Sequence, residues 1–471
     1  MPRAVLLWTD AAVWAMAAAM LAYVFFVRAH PPLRARWRRV FQGRAAMGAS
    51  VVLAACAAVT LLDSVHYRLP LPPAPGQPLG TVAYDTSTRS VLDALLWQLA
   101  DSREATYSRP LATESFTKES VEVGGQTQRV APRLAHGGAH LSDPAAQWAA
   151  DVAWRAALGL ALGAVLALAL GAAGVAWGAW WQRRPWREVL HTAWAGQGGM
   201  PWHMAWAVAA VLCSLWGLGA TLGGAYHLLG TDQTGNDVLY QALKSIRTAF
   251  VIGLLATVAT LPLAVGLGLL AGFFRGWVDE VIQYLYTVLS SVPNVLLIAA
   301  CVLMVQVFLD QHPDLFETGA ERADLKLFLL CAVLGLTGWA GLCRLLRAET
   351  MKQRELDYVR AARAYGAGNA RLMWRHIFPN LAHLMLIVTV LEFSSLVLYE
   401  AVLSYVGVGV DPTMNSFGGM INGARSEMSR DPLVWWSFAT AFGFMVAVVL
   451  AANLFADGVQ EAFDPRGGQA G

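Results

Sequence analysis

Long runs without charge alternate along the chain with short stretches crowded with arginine. Nine apolar windows lie near 4–27, 45–63, 152–181, 203–224, 248–273, 281–309, 327–343, 383–407 and 433–456. Each approaches or exceeds the roughly 20 residues a helix needs to cross a bilayer. Residues 156–182 carry no charge, and neither do 248–274. Glycines recur four apart inside the runs, at Gly159/Gly163, Gly174/Gly178, Gly219/Gly223 and Gly268/Gly272. That spacing lets helices in lipid approach closely. The pattern predicts an all-α polytopic membrane protein of about nine spans. The first run precedes an arginine-rich loop and reads as a retained anchor rather than a cleaved signal.

The stretch 64–150 breaks this pattern. It begins with Pro70, Pro72, Pro73, Pro75 and Pro78 and continues polar, with turn signals at Gly124-Gly125 and Gly137-Gly138. Residues 90–100 (SVLDALLWQLA) read as one amphipathic helix. The sequence thus divides into extra N-terminal spans with a basic loop (1–63), an insertion (64–150), a further span and loop (151–202) and a core (203–467).

Composition sharpens the class. The chain of 471 residues is 56% hydrophobic and only 14% charged, where soluble domains carry about 25%. Mean hydropathy is +0.47. Intrinsic disorder, a secreted disulfide scaffold and a free cytosolic enzyme are excluded. The net charge of +2 gives no case for nucleic acid as a partner. Cys56, Cys213, Cys301, Cys331 and Cys343 sit in apolar runs without a CxxC pair, as small buried hydrophobes do.

Charge in the short loops sets orientation. Arg28, Arg34, Arg36, Arg38, Arg39 and Arg44 share one loop, Arg183, Arg184 and Arg187 another, and eight Lys/Arg lie between Arg344 and Arg375. These loops are expected in the cytoplasm. The acidic loop near 310–326 and the insertion then fall outside, with an external N-terminus and a cytoplasmic C-terminus.

Catalytic signatures are missing. No lysine follows a glycine, so no GxxxxGK[ST] phosphate loop exists, and GxSxG, HExxH and GxGxxG are absent. His136 and His140 are four apart, but the glycines between them argue for a solvated loop rather than a metal site. No catalytic residue, metal ligand or cofactor of this chain's own is expected, and the role reads as passage or scaffolding across the membrane.

One cytoplasmic segment stands out: residues 355–380, ELDYVRAARAYGAGNARLMWRHIFPN, within the loop 350–380. Leu356, Val359 and Ala362 recur at helical spacing, with Arg360 and Arg363 on another face. Gly366 and Gly368 break this helix. A second, over 370–378, is expected to stop at Pro379 before the next span. Such an elbow, joined stiffly to a span at each end, can carry a push from a soluble partner into the bundle. An ordinary basic loop has the same composition.

The residues Arg360, Ala361, Ala362, Arg363, Gly366, His376, Ile377, Pro379 and Asn380 resemble the "EAA" loop of ABC importer permeases, in the peptide/nickel branch. Gly230-Thr231-Asp232, Gly235 and Asp237 resemble that branch's GTDxxGRDVL segment, with Asn236 in place of arginine. Ser291-Val292-Pro293, the stretch from Glu400 to Gly409, Asp457-Gly458 and Asp464-Pro465-Arg466 are similar to it in order and spacing, over about 225–467. Tyr365 stands where the branch has leucine, and residues 1–200 exceed its pattern. The resemblance implies a type I importer core of about six spans in a bacterial inner membrane. It implies a second permease subunit, two ABC ATPases that bind ATP and magnesium, and a periplasmic or lipid-anchored substrate-binding protein. The elbow would be the helix seated on the ATPase. An ion-coupled secondary carrier and a non-transport scaffold remain the alternatives.

Glu392 and Glu400 interrupt an apolar run, and embedded acids usually face a cavity or a partner. They stand about 80° apart around a helix, so both can border a translocation path, or serve as structural acids. Pro293 and Asn294, with Pro262, mark kinks at or near spans.

Overall fold

A computed structural model describes residues 2–71, 84–123, 126–194 and 199–463. In chain order the helices are α1 (Trp8–Ala29), α2 (Pro31–Val40), α3 (Arg44–Asp63), α4 (Val91–Leu95), α5 (Trp97–Asp101), α6 (Pro144–Gln182), α7 (Trp186–Trp194), α8 (Trp202–Leu222) and α9 (Val238–Phe274). There follow α10 (Trp277–Ser291), α11 (Asn294–Gln311), α12 (Gly319–Arg354), α13 (Asp357–Ala364), α14 (Asn369–Arg371), α15 (Phe378–Val406), α16 (Phe417–Glu427) and α17 (Trp436–Phe463). Short strands β1 (Arg3–Val5), β2 (His66–Arg68) and β3 (Arg89–Ser90) form one sheet in that order, and β4 (Glu119–Val123) pairs antiparallel with β5 (Gln126–Val130).

Among the described residues nine helices are long and apolar enough to cross a membrane, in the order of the nine apolar windows. Several overshoot the bilayer. The 39 residues of α6 extend about 58 Å against a hydrocarbon core of about 30 Å. Two expectations need correction. The window 281–309 is not one helix: the chain leaves helical geometry at Val292 and Pro293, so α10 and α11 are separate. Pro293 has no N–H to continue α10 and disfavours helical geometry at Val292 before it. Residues 90–100 are likewise two short helices, turned at Leu96. Ser90 and Asp93 form a capping box on the first. Pro72, Pro73, Pro75, Pro78, the Gly124-Gly125 turn and the Asp464-Pro465-Arg466 match lie outside the described residues.

The chain forms two compact units. Within the described residues the first comprises 2–4, 32–247 and 415–458, and the second 5–31, 248–414 and 459–463. In the first unit α6 lies on α8 almost backbone to backbone: a Cβ at Gly163 would come within 2.6 Å of the Cys213 carbonyl oxygen, and one at Gly159 within 2.8 Å of that of Gly217. In the second unit Gly268 and Gly272 do the same for α9 against α12. Its core gathers Leu269 and Phe273 of α9, Ile282 of α10 and Leu342 and Leu346 of α12, and it extends to Val359, Leu372 and Ile377 of the elbow.

Candidate functional site

The elbow is built from two helical pieces around a glycine turn. Helix α13 ends in a Schellman arrangement, with the Gly366 N–H on the Arg363 carbonyl and the Ala367 N–H on the Ala362 carbonyl, 3.0 and 3.1 Å. Gly366 has φ of +83°, which glycine adopts without strain. The second piece differs from the expected helix ending at Pro379. It runs from α14 through a π-helical turn (Leu372–Ile377) directly into α15, with Pro379 in that helix's first turn. Proline removes one N–H and crowds the carbonyl four residues back. A π turn is a known way to absorb such a defect without ending a helix. The Phe378 N–H bonds the Met373 carbonyl, five residues back. Asn380 repairs the rest: its Nδ2 donates to the His376 carbonyl (3.0 Å) and to the Tyr358 hydroxyl (2.6 Å). That last bond ties α13 to the start of α15.

The elbow's two faces contrast. Val359, Leu372 and Ile377 are buried in the core of the second unit, while Arg360, Ala361, Tyr365 and Trp374 are exposed. Tyr365 is 93% exposed. The Arg363 guanidinium sits over the Phe273 ring, 5.3 Å from its centroid. Glu355 accepts from Arg360 (2.7 Å) and Arg275 (3.0 Å), and these bonds hold its carboxyl below the usual carboxylate range. Asp279 on α10 takes a bond from Arg347 Nη2 on α12 (2.7 Å), fixing the helix beside the elbow.

The loop 230–237 in the first unit is folded differently, with Gly230, Thr231, Gly235 and Asp237 buried. Asp232 Oδ1 accepts from the N–H groups of Thr234 and Asn236, 2.8 and 2.9 Å, closing a tight turn with Gly235 at φ of +78°. Asp237 Oδ1 accepts from the Tyr240 N–H, capping α9, while Oδ2 meets His227 Nδ1 at 2.8 Å. The other face of His227 meets Glu104 of the insertion at 3.3 Å, and Glu104 also accepts from the N–H groups of Ala135, His136 and Gly137. Burial alone would raise the Glu104 carboxyl, but His227 and these donors more than offset it and hold it at about 2. Burial would push His227 down, but Asp237 and Glu104 more than offset that and raise it to about 9. Thr231, fully buried, donates to the Thr106 carbonyl, and its own carbonyl accepts from the Trp436 ring N–H, both at 2.9 Å. Gly230, at φ of +77°, packs its Cα against Trp436.

The sequence gives no local sign of Glu104, which lies 123 positions from His227 in a polar stretch without periodicity. It equally misses Asp93 and Asp63, which flank Lys244 at 2.7 and 3.1 Å and tie the insertion and α3 to the start of α9. His227, three residues before a recognisable motif, was the one available signal. Among the described residues no group of three or more His, Cys, Asp or Glu is placed to hold a metal ion, and His140 instead meets Asp151 at 2.8 Å.

Residues 264–468, which carry the elbow, match the family described as the binding-protein-dependent transport system inner membrane component. The di/tripeptide transport system permease protein DppC of Pseudomonas aeruginosa is 33% identical over 244 residues, 52% of this chain and 74% of that one. The chain belongs to this permease family. Similar too are the oligopeptide transport system permease protein OppC of Mycobacterium tuberculosis (29% over 242 residues, 51% and 77%) and the glutathione transport system permease protein GsiD of Pectobacterium atrosepticum (30% over 240 residues, 51% and 73%). It is therefore a multi-pass transmembrane subunit of an ABC importer, and nothing favours the secondary-carrier or scaffold alternatives.

Within this permease, Glu400 is 1% exposed on α15 and accepts from the Ser404 hydroxyl one turn on (2.7 Å), while Glu392 is half-buried two turns earlier. Pro293 and Asn294 are exposed at the break between α10 and α11.

Proposed function

We propose that the chain forms half of a pathway for peptides or related small solutes and takes up the work of ATP binding through residues 355–380. Peptides are the chemistry shared by the relatives' names. The supporting observation is the two-faced elbow. One face is seated among α9, α10 and α12 through Val359, Leu372 and Ile377, while Arg360, Tyr365 and Trp374 on the other await a partner. A buried face transmits displacement because packed interiors move as bodies rather than deform. The partner is a cytoplasmic ABC ATPase, where ATP and magnesium are bound and hydrolysed. A second permease completes the pathway, and a substrate-binding protein delivers the solute. Glu392 and Glu400 border the pathway, and 230–237 shapes its outer mouth.

In this reading the N-terminus is external and the C-terminus cytoplasmic in a bacterial inner membrane. Contacts between segments support it. The insertion, the loop 223–237 and the loop before α17 fall on one side by charge alternation. They meet at Glu104–His227, at Tyr107–Glu427 (3.0 Å) and at Thr231–Trp436. The opposite ends of α3 and α17 meet where Gly458 packs on Ala46.

The test is ATP-driven uptake of a labelled tripeptide and an oligopeptide by the reconstituted complex. Arg363→Glu and Gly366→Leu are expected to leave insertion and yield intact and abolish uptake. Normal uptake in both removes the coupling role. A cysteine introduced by Tyr365→Cys should react with an impermeant maleimide only after permeabilisation.

A further inference from the structure

Leu433 and Trp435, on the segment entering α17, are 47% and 54% exposed although both are apolar. They form the lip of a cleft inside the first unit. Pro110 and Phe116 of the insertion make one wall, and Leu433, Trp435 and Trp436 the other, around a cavity of about 410 Å³. That volume is at the small end of the range for ligand clefts, about 300–1,000 Å³. It has room for one or two residues and not for a pair of acyl chains. The walls are set before any ligand arrives. The Phe116 N–H bonds the Tyr107 carbonyl at 3.0 Å, and its ring meets that of Trp436 edge-on, centroids 5.2 Å apart. Trp436 is 2% exposed and donates its ring N–H to the Thr231 carbonyl (2.9 Å). Walls held in this way spare a ligand the cost of ordering them.

Arg109 is the only charged residue lining the cavity among the described residues. Its guanidinium stands 5.0 Å from the Phe116 ring centroid, over the ring face that attracts a cation. The Ala112 N–H bonds the Arg109 carbonyl at 3.1 Å, so the backbone beneath is a closed turn. Ring and turn together place the guanidinium at the rim. It has no carboxylate partner among the described residues. Glu427 accepts from the Tyr107 hydroxyl (3.0 Å) and does not line the cavity. A ligand entering the cleft therefore meets apolar rings and one uncompensated positive charge.

We propose that this cleft binds the C-terminal residue of a peptide, with its apolar side chain against Leu433 and Trp435 and its free carboxylate on Arg109. A guanidinium pairs with a carboxylate through two parallel hydrogen bonds, a geometry an amide end cannot match. An apolar body with a few fixed polar partners is the ordinary composition of a small-ligand site. The cavity and its single charge select a small apolar carboxylate; that this carboxylate belongs to a peptide rests on the proposed function. The cleft holds peptide on the permease itself, by the end that every unmodified peptide carries.

The full-length permease in phosphatidylcholine nanodiscs, without ATPase or ATP, is dialysed against radiolabelled Ala-Ala-Phe. Both faces of a nanodisc are open to solution, so orientation does not enter. Saturable binding is expected, about tenfold weaker for the C-terminal amide of the same peptide. Arg109→Gln should bring the acid down to the affinity of the amide and leave the amide unchanged. Trp435→Ala should weaken both by a similar factor. Both side chains are exposed, so the melting midpoint of either variant should not move. Equal binding of acid and amide by wild type, or an Arg109→Gln variant that still separates them, overturns the proposal. So does binding of 3-phenylpropionate with none of Ala-Ala-Phe, which removes the peptide. Loss of peptide binding when phosphatidylglycerol replaces part of the phosphatidylcholine also overturns it, because the occupant is then a lipid. Arg109-dependent binding by a complex that takes up no peptide upholds the cleft and counts against the pathway alone. Tripeptide uptake beside equal binding of acid and amide strikes the cleft alone.

Discussion

The loop 230–237 and the elbow 355–380 both turn on glycines at positive φ, and both carry family motifs, yet they are packed in opposite ways. A Cβ at Gly235 would overlap the Glu104 carbonyl, whereas one at Gly366 or Gly368 meets nothing within 4 Å. In the loop each carboxylate has several donors. In the elbow, aromatic and cationic side chains stand in solvent. The loop is finished within the chain, because the insertion covers it. The elbow instead leaves Arg360, Tyr365 and Trp374 exposed. A motif glycine therefore has two separable reasons, contact and backbone freedom, and substitution tells them apart.

The largest difference is expected between Gly235→Ala and Gly366→Ala. The first adds a steric overlap to a strained φ and should cost at least about 3 kcal/mol, seen as a lowered melting midpoint and early proteolysis of the insertion. The second adds strain alone and should cost about 1 kcal/mol. Equal losses would erase the distinction.

Next is Glu104→Gln, which leaves His227 charged and half-compensated inside the protein. Breaking a buried pair costs about 3 kcal/mol or more. The pH dependence has two flanks. Glu104, held at about 2 against an ordinary 4.5, contributes stability present above 4.5 and lost as pH falls towards 2. His227, raised to about 9 from 6.5, contributes stability present below 6.5 and lost as pH rises through 9. These are two views of one interaction. The insertion should resist protease best between about 4.5 and 6.5, and Glu104→Gln should flatten both flanks.

The smallest effect on stability is expected from Tyr365→Ala and Trp374→Ala, within about 0.5 kcal/mol because both rings are exposed. Their effect should appear instead as about tenfold weaker retention of the ATPase subunits. A stability loss with normal retention would make the elbow as self-contained as the loop 230–237.

What was legible in the sequence follows the same division. Spans are written as continuous local hydropathy, so nine emerged in order. Short local rules also served: Gly366 ended α13 as its φ requires. Pro379 misled, because a proline's local instruction to stop was overridden by a π turn and the Asn380 side chain. Pro293, which reads as a kink at or near a span, is a full break between α10 and α11. Glu104, Asp93 and Lys244 were invisible because their meaning lies in partners more than a hundred positions away.

The π turn at Leu372–Ile377 adds, in effect, one residue to a continuous helix. Everything beyond it, Glu392 and Glu400 included, is thereby phased about 100° around the axis from where an uninterrupted α-helix would put it. Were that bulge to close or migrate, the helix would turn like a screw, advancing about 1.5 Å as it did so. A shove at the elbow would then arrive further along the helix as rotation.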